Sequence, residues 1–260
     1  MAIWSRVVSM AVLMGSLAWH STVVAQEEDE ANFPITGSLK MDYASKYVWR
    51  GIEVNDEPVL QPSLTLSAAG FSFNAWGNYD LTDGGREDNF SEYDFTLSYG
   101  TTLDEEEKLY VEVGAIEYYF PPNGAGNDTQ EVYGAVGYDC LLKPMVKVFY
   151  DFGEIHGTYA VASIGHGIVL DDEEKLTLNL GASVGYATTD YNDGYFGVNK
   201  NGWNDGVLSA GLTYAFTEKF SGSWTLLYSE LLDSEIEDAV DTGGGDSDNA
   251  WMVWNVTYAF

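Results

Sequence analysis

Polar and apolar side chains alternate with a period of two along most of the chain from about residue 35 onward. Between residues 249 and 260 one set of alternate positions is wholly apolar or aromatic: Ala250, Met252, Trp254, Val256, Tyr258 and Phe260. Segments 90–100, 175–187 and 207–216 repeat the alternation, mostly with small or polar residues at the intervening positions. Successive side chains of a β-strand point to opposite faces, so this period predicts strands with one apolar face.

The alternation predicts about twelve strands separated by turn-forming segments. Their ranges are 35–50, 58–68, 71–81, 90–100, 108–119, 130–140, 144–152, 158–169, 175–187, 207–216, 220–230 and 249–260. Most have roughly the 9–11 residues that a tilted transmembrane strand needs. Short connections, such as residue 70 and residues 217–219, alternate with longer ones, such as 188–205 and 231–248. Short turns at one end and long loops at the other are typical of an outer-membrane barrel, with both termini on the short-turn side.

The predicted fold is therefore all-β, a closed antiparallel transmembrane β-barrel of about twelve strands, with about 10 or 14 as alternatives. In hydrocarbon every backbone N–H and C=O must pair within the protein, so a spanning sheet has to close on itself. Aromatic residues gather near the predicted strand ends, as in a girdle: Tyr43, Tyr47, Trp49, Tyr79, Tyr99, Tyr118, Tyr138, Tyr150, Tyr186, Tyr214, Tyr228 and Tyr258. The alternative is a secreted β-sandwich, whose strands alternate in the same way.

Composition and charge exclude other classes of protein. The chain is 45% hydrophobic and 15% aromatic, more apolar surface than a disordered chain leaves in water. It carries 11 Lys and Arg against 41 Asp and Glu, a formal net charge of −30. A nucleic-acid binder is excluded because affinity for phosphate backbones comes from cations. Cys140 is the single cysteine of the sequence and cannot form an internal disulfide.

Residues 1–25 have the features of a secretory signal peptide. One cation, Arg6, precedes the apolar run Val7–Leu17, and Val23-Val24-Ala25 supplies small residues before a cleavage site. The apolar run is too short for a membrane anchor, which needs about 20 residues. We expect cleavage after Ala25, export through the periplasm, and one barrel domain over residues 26–260 in the outer membrane of a bacterial cell.

Two resemblances add to this interpretation. The segment Trp254–Phe260 resembles the C-terminal signal of bacterial outer-membrane proteins, carried at alternate positions by Trp254, Val256, Tyr258 and Phe260. It implies recognition by the barrel-assembly machinery, with outer-membrane lipid and lipopolysaccharide as further partners. Residues 45–51 (SKYVWRG), 61–64 (QPSL) and 73–77 (FNAWG) are similar to the opening of the TorF-type porins of proteobacteria. That similarity covers about the first three predicted strands and implies a porin-like role without naming a solute.

The phase of the strands directs a set of charged side chains into the barrel. Facing lipid would cost a cation about 2–4 kcal/mol at the bilayer midplane, so we expect these residues to line the lumen. The candidates are Lys40, Asp42, Lys46, Arg50, Glu92, Asp94, Glu112, Lys147 and Asp151. Their signs nearly balance, which predicts a near-neutral lumen. Such charges either line a narrow polar channel or pair with one another and plug the barrel.

No catalytic residue, cofactor or metal site is predicted. Ser163 and His166 lie three apart on a predicted strand and so point to opposite faces, which prevents a hydrogen-bonded dyad. His156 falls in a predicted outer loop. Residues 190–194 lack the spacing of a calcium loop, and the acidic run 233–238 is interpreted as a solvated loop.

Three functions remain after these exclusions. The first is a passive outer-membrane channel for small polar or cationic solutes. The second is a closed structural or adhesive surface barrel, its lumen filled by paired charges and by Trp76, Tyr110 and Phe149. The third is an outer-membrane hydrolase, because outer-membrane phospholipases resemble this chain in strand number.

Overall fold

The computed structural model describes residues 34–82, 89–104, 108–121 and 128–260. The predicted signal peptide at residues 1–25 lies outside them. The strands in these ranges are β1 (Thr36–Ala44), β2 (Tyr47–Trp49), β3 (Ile52–Asn55), β4 (Val59–Ala68), β5 (Phe71–Asp80), β6 (Phe90–Asp104), β7 (Leu109–Tyr119), β8 (Thr129–Tyr138), β9 (Met145–Asp151), β10 (Thr158–Val169), β11 (Leu176–Ala187), β12 (Gly202–Ala215), β13 (Phe220–Leu231) and β14 (Asp248–Ala259). The same ranges hold two helices, α1 (Thr189–Phe196) and α2 (Ser234–Gly243).

Twelve of the strands close into one antiparallel barrel, in the order β1-β14-β13-β12-β11-β10-β9-β8-β7-β6-β5-β4 and back to β1. Strand β1 completes the ring because it pairs on both sides, Leu39 lying opposite Tyr258 of β14 and Leu64 of β4. The predicted closed twelve-stranded barrel is confirmed, and the β-sandwich alternative is wrong. No helix in the described part of the chain is long and apolar enough to cross a membrane.

The two faces of the barrel follow the predicted alternation. Leu97 on β6 is 58% exposed and Val113 on β7 is 61% exposed, both on the outer face. Ser98, which follows Leu97 in the chain, is buried on the inner face. Outward side chains are mostly aliphatic or aromatic, and the predicted C-terminal signal residues Trp254, Val256, Tyr258 and Phe260 are among them. Below, the end of the barrel with the short connections is called the turn end, and the opposite end is called the loop end.

The first predicted strand, 35–50, is wrong in its second half. β1 stops at Ala44, which pairs with Val59 of β4, so residues 45–58 form an insertion between neighbouring barrel strands. Within the insertion β2 and β3 pair with each other as a separate two-stranded sheet. Their turn holds Arg50 and Gly51 at φ of 48° and 79°, and two positive φ values are what a tight type I′ hairpin turn requires. Side chains of the hairpin strands also alternate with a period of two. The pattern of polar and apolar residues therefore continues past Ala44, where the chain leaves the barrel wall.

The two longest predicted loops contain the helices. α2 begins at its N-cap Asp233, whose side chain accepts a hydrogen bond from the backbone N–H of Glu235, and ends at Gly244 in the left-handed region. α1 ends in the same way at Gly197, with φ of 68°. Strand β12 starts at Gly202, before the predicted 207, and the extension places Asp205 on the inner face. Both helices therefore lie at the loop end.

Candidate functional site

The β2–β3 hairpin lies across the lumen at the loop end. We call residues 46–55 the inner hairpin. The Tyr47 hydroxyl donates a hydrogen bond to Glu92 on β6 at 3.0 Å, and Lys46 donates to Asn249 on β14 at 2.8 Å. At the tip, a Cβ on Gly51 would lie 2.8 Å from the Asp205 Cβ on β12. β6 and β12 stand far apart in the ring of strands, so the hairpin reaches from one side of the barrel to another.

Arg50 at the hairpin tip is held by a buried ion pair. Its Nη1 and Nη2 each donate to one carboxylate oxygen of Glu131 on β8, both at 2.8 Å. The side chains are 7% and 1% exposed, and the Tyr118 hydroxyl donates a third hydrogen bond to Glu131 at 2.9 Å. A buried ion pair offsets its desolvation cost only when the geometry is good and the remaining polar atoms are satisfied. Both conditions hold around this carboxylate.

Aromatic rings surround the Arg50 guanidinium. Its Cζ lies 4.4 Å from the ring centroid of Trp49, 4.3 Å from Phe149 and 4.6 Å from Tyr159. Tyr191 of α1 closes the cluster at 5.9 Å. The planar guanidinium can stack on rings while keeping its bidentate pair, which the ammonium of lysine cannot do. The rings and Glu131 thus fix the position of the hairpin tip.

The predicted aromatic girdle is wrong at three positions. Tyr47, Trp49 and Tyr118 do not face lipid: Tyr47 and Tyr118 are buried, and the Trp49 and Tyr118 rings meet edge to face at 6.1 Å. Trp49 also contacts Tyr195 of α1, with centroids 5.3 Å apart. Two of the three belong to the inner hairpin, which explains why a strand-based assignment placed them outside. The loop-end lumen is filled by this inward aromatic cluster.

The nine predicted lumen residues occupy two kinds of position. Seven lie on barrel strands at positions that point inward, namely Lys40, Asp42, Glu92, Asp94, Glu112, Lys147 and Asp151. Lys46 and Arg50 lie on the inner hairpin instead of the barrel wall. Sequence reasoning missed Glu131 and Asp205, although the alternation of β8 around the exposed Val132 and Val136 places Glu131 inward.

The inner cations of the described residues are paired with carboxylates. Lys40 lies 2.7 Å from Asp42, and Lys46 is bonded to Glu53 of the same hairpin. Lys147 lies 3.4 Å from Glu112, with its ammonium 3.7 Å from the centroid of Tyr133. The Tyr110 hydroxyl donates to the same Glu112 at 2.8 Å.

Acids outnumber cations inside the barrel, so the predicted near-neutral lumen is wrong. Beyond the nine predicted residues, the inner face and hairpin carry Glu53, Asp80, Glu131 and Asp205. Among the described residues, Glu92 and Asp94 form no ion pair within 4 Å, and Asp94 Oδ1 is buried without a hydrogen-bond partner. The excess arises because β3, β5, β8 and the extended β12 each add an acid that was not among the predicted residues. These two carboxylates are therefore candidates for attracting a cation.

Toward the turn end the inner face carries many small and polar side chains, with Tyr110 as a larger one. Its residues include Ser63, Thr65, Thr96, Ser98, Ser163, Gly181, Ser209, Gly211, Thr213, Ser223 and Thr257. Between this region and the hairpin lies a cavity of about 40 Å³, lined in part by Arg50, Phe149 and Asp205. That volume holds no more than a few water molecules. The inner hairpin thus narrows the lumen at the loop end, and this part of the lumen is called the narrow region below.

A polar link joins the two loop-end helices. The Lys200 ammonium, which follows α1, lies 2.9 Å from both the Asp233 and Glu235 carboxylates at the start of α2. The hydrogen bond from Lys200 lowers the pKa of Asp233 below its ordinary value, and the same contacts raise the pKa of Lys200. The charged forms of both groups are therefore favoured by the folded loops.

Lys200→Met is expected to return the midpoint of the Asp233 titration upward, toward the unfolded value of about 3.9. Because the folded pKa is depressed, the link contributes stability above that unfolded value and loses it as the pH falls through the folded pKa. A carboxylate NMR titration measures the midpoint. Lys219→Met, an exposed turn residue, is the control. An unchanged midpoint in Lys200→Met would contradict the assignment.

Groups considered for catalysis or metal binding lie apart. Ser163 is on the inward phase of β10 and His166 on the outward phase, where its Nδ1 is 2.9 Å from the Leu141 carbonyl oxygen. Residues 190–194, considered as a calcium loop, belong to α1. Within the described ranges, no group of three or more His, Cys, Asp and Glu residues is placed to hold a metal ion.

Solved structures share this fold. The structure described as the KdgM porin is 11% identical, with a TM-score of 0.54 over 86% of this chain and 99% of that chain. The NanC porin structure is 12% identical, with a TM-score of 0.54 over 85% and 98% of the two chains. An outer membrane channel from Pseudomonas putida F1 is 12% identical, with a TM-score of 0.48 over 90% and 100%. At such identities the KdgM and NanC structures show a likeness of fold alone.

Sequence comparison gives a family. No curated protein matches the chain. Residues 28–235 match a family model described as a bacterial protein of unknown function, Gcw_chp. The matched range runs from before β1 into the start of α2, so it includes the inner hairpin and most of the barrel strands.

Proposed function

We propose that this chain, which belongs to the Gcw_chp family of bacterial proteins of unknown function, is a porin-like outer-membrane channel for small polar or cationic solutes. Transport through it is passive, and the proposal includes no catalytic step or cofactor. The main support is the barrel itself, apolar outside and polar inside. An apolar outer face of this size is stable in lipid and costly in water.

The location rests on several features taken together. The signal-peptide pattern at residues 1–25 and the C-terminal pattern at residues 254–260 favour export and insertion by the barrel-assembly machinery. Outer-membrane lipid and lipopolysaccharide would then cover the outer face. The resemblance of residues 45–77 to TorF-type porins supports the same role. The KdgM and NanC structures, described as porins, support a channel role for a barrel of this fold.

The small and polar side chains of the inner face toward the turn end support the passage of solutes. Small side chains such as Ser98, Gly181 and Ser209 project little into the barrel, which favours a water-accessible path between the facing walls. The acids inside the loop end, Glu92 and Asp94 in particular, favour cations over anions. The size of the narrow region limits passage to small solutes.

Planar-bilayer recording tests the proposal. The refolded protein is expected to produce discrete current steps of reproducible size, because each inserted barrel adds one defined path. Folding is checked first on a dodecyl sulfate gel, where the closed barrel should migrate differently before and after boiling. Membranes that stay silent with correctly folded protein, both as the wild type and as a variant without the inner hairpin, would reject the channel.

One observation favours a second function, a closed structural or adhesive barrel. The inner cations are paired and the inner hairpin crosses the lumen, as expected for a barrel filled by its own side chains. The same recording separates the two functions. A structural barrel stays silent even after the hairpin is removed, whereas a channel then conducts.

A further inference from the structure

The inner hairpin is attached to the barrel wall by side chains. Its strands β2 and β3 form a sheet of their own, and the backbone hydrogen bonds described for residues 46–55 stay within that sheet. The barrel ladder next to it is complete without it, because Ala44 already pairs with Val59. The hairpin can therefore leave its position without breaking a barrel hydrogen bond.

It is attached at its tip and at its base. Arg50 at the tip makes two charge-assisted hydrogen bonds to Glu131 and contacts several rings. The base is held by single hydrogen bonds from Tyr47 to Glu92, from Lys46 to Asn249 and from Asn55 to Asp80. The Lys46–Glu53 pair lies within the hairpin and moves with it. Charge-assisted bidentate pairs are the strongest of these contacts. The tip thus contributes most to keeping the hairpin in the lumen.

We propose that the inner hairpin is the gate of the channel and that the Arg50–Glu131 pair is its latch. The inference rests on the proposed function and deepens it, since it names the residues that set the size limit. While the pair is formed, the hairpin blocks the loop-end lumen above the cavity of about 40 Å³. When the pair separates, the hairpin moves out of the lumen at the loop end. The polar lumen is then continuous from the turn end to the loop end.

The released state also differs in charge. With the latch closed, Glu131 neutralises Arg50 and neither charge acts on a passing solute. Release leaves Glu131 on the wall beside the other inner acids and carries Arg50 away with the hairpin. The open channel is therefore wider and more attractive to cations than the closed one.

Three variants in planar bilayers test the gate. In the first, residues 45–58 are replaced by Asn-Gly, a turn that joins the adjacent ends of β1 and β4. In the second, Glu131→Gln keeps the shape of the side chain and removes its charge. The third, Asp139→Asn, is the matched control, because Asp139 forms an exposed pair with Lys108 at 3.7 Å on a turn-end connection.

The variants are expected to differ in open time and in step size. The hairpin-replaced barrel should stay open, with steps at least several-fold larger than those of the wild type, and should admit larger neutral sugars in liposome swelling. Glu131→Gln should raise the open fraction about tenfold or more, the effect of weakening a charge-assisted hydrogen bond. Asp139→Asn should behave like the wild type.

The outcomes separate the gate from the channel. A hairpin-replaced barrel that folds, as judged by its gel shift, yet passes no current overturns the proposed function. Equal step size and open fraction in the wild type and that variant overturn the gate and leave the channel standing. If the replacement does not fold, Glu131→Gln decides alone: an open fraction equal to that of Asp139→Asn overturns the latch.

Discussion

Glu131→Ala is expected to lower the free energy of unfolding by about 3–5 kcal/mol, the range for removing one partner of a buried ion pair. The Arg50 guanidinium would stay among apolar rings with its two best acceptors gone. Arg50 and Glu131 are both almost fully buried, so water cannot replace the carboxylate without opening the cluster. Urea unfolding in lipid vesicles, followed by tryptophan fluorescence, measures the change.

A double variant separates the pair from its surroundings. Arg50→Met with Glu131→Leu removes both charges and fills similar volume, and we expect it to recover most of the lost stability, because the desolvation cost disappears with the pair. Asp139→Ala, which breaks the exposed pair with Lys108, should cost less than about 1 kcal/mol. A double variant as unstable as Glu131→Ala would show that the carboxylate has another role.

The gate proposed above limits how far Glu131→Ala can lower the free energy of unfolding. If the inner hairpin leaves the lumen in Glu131→Ala, Arg50 returns to water and the penalty cannot exceed the free energy of hairpin docking. A loss well below about 3 kcal/mol together with an open channel would therefore support the gate. A loss in the full range with a closed channel would mean that the hairpin stays docked without its pair.

The barrel could be predicted because its signal is local. The alternation around Tyr93, Phe95 and Leu97 depends only on which face meets lipid, and each strand repeats that requirement. The inner hairpin could not be predicted in this way. Tyr47 and Trp49 continue the phase of Tyr43, and only the pairing of Ala44 with Val59, a contact distant in sequence, shows that the chain has left the wall.

The candidate site was predictable in part for the same reason. Alternation placed Lys147 and Glu112 inside, but the partner of Arg50 depends on how far the hairpin reaches across the lumen. Asp205 was missed because β12 continues through an irregularity opposite Val184 and Tyr186, where the simple period fails. α2 was interpreted as a solvated loop because its acids dominate the pattern, although Ile236 is buried.

Glu92→Gln combined with Asp94→Asn is expected to remove most of a preference for cations. These carboxylates lie on the inner face of β6, beside the narrow region, and neither has an ion pair among the described residues. A carboxylate that is ionised at a constriction acts at short range, where salt screens its charge least. We expect the cation-to-anion permeability ratio to fall about threefold or more, with conductance reduced for cations.

Acids at the rim are expected to act differently. Glu237, Asp238 and Asp241 lie on α2 at the loop end, and replacing them by their amides leaves the cap and the Lys200 link of Asp233 intact. Rim charges enrich cations near the mouth without narrowing the path. Their effect should be present at low salt and nearly absent at 1 M, where the Debye length is about 3 Å.

Reversal potentials under a salt gradient, measured at low and high salt, distinguish the two sets of acids. The Glu92 and Asp94 variant should lose its preference at both concentrations, because its charges border the path itself. The α2 variant should lose its preference for cations only at low salt. A preference for anions in the wild type, or a preference that both variants retain unchanged, would show that other groups determine selectivity. If the α2 variant had the larger effect at 1 M, the narrow region would lie among the outer loops instead of at the inner hairpin.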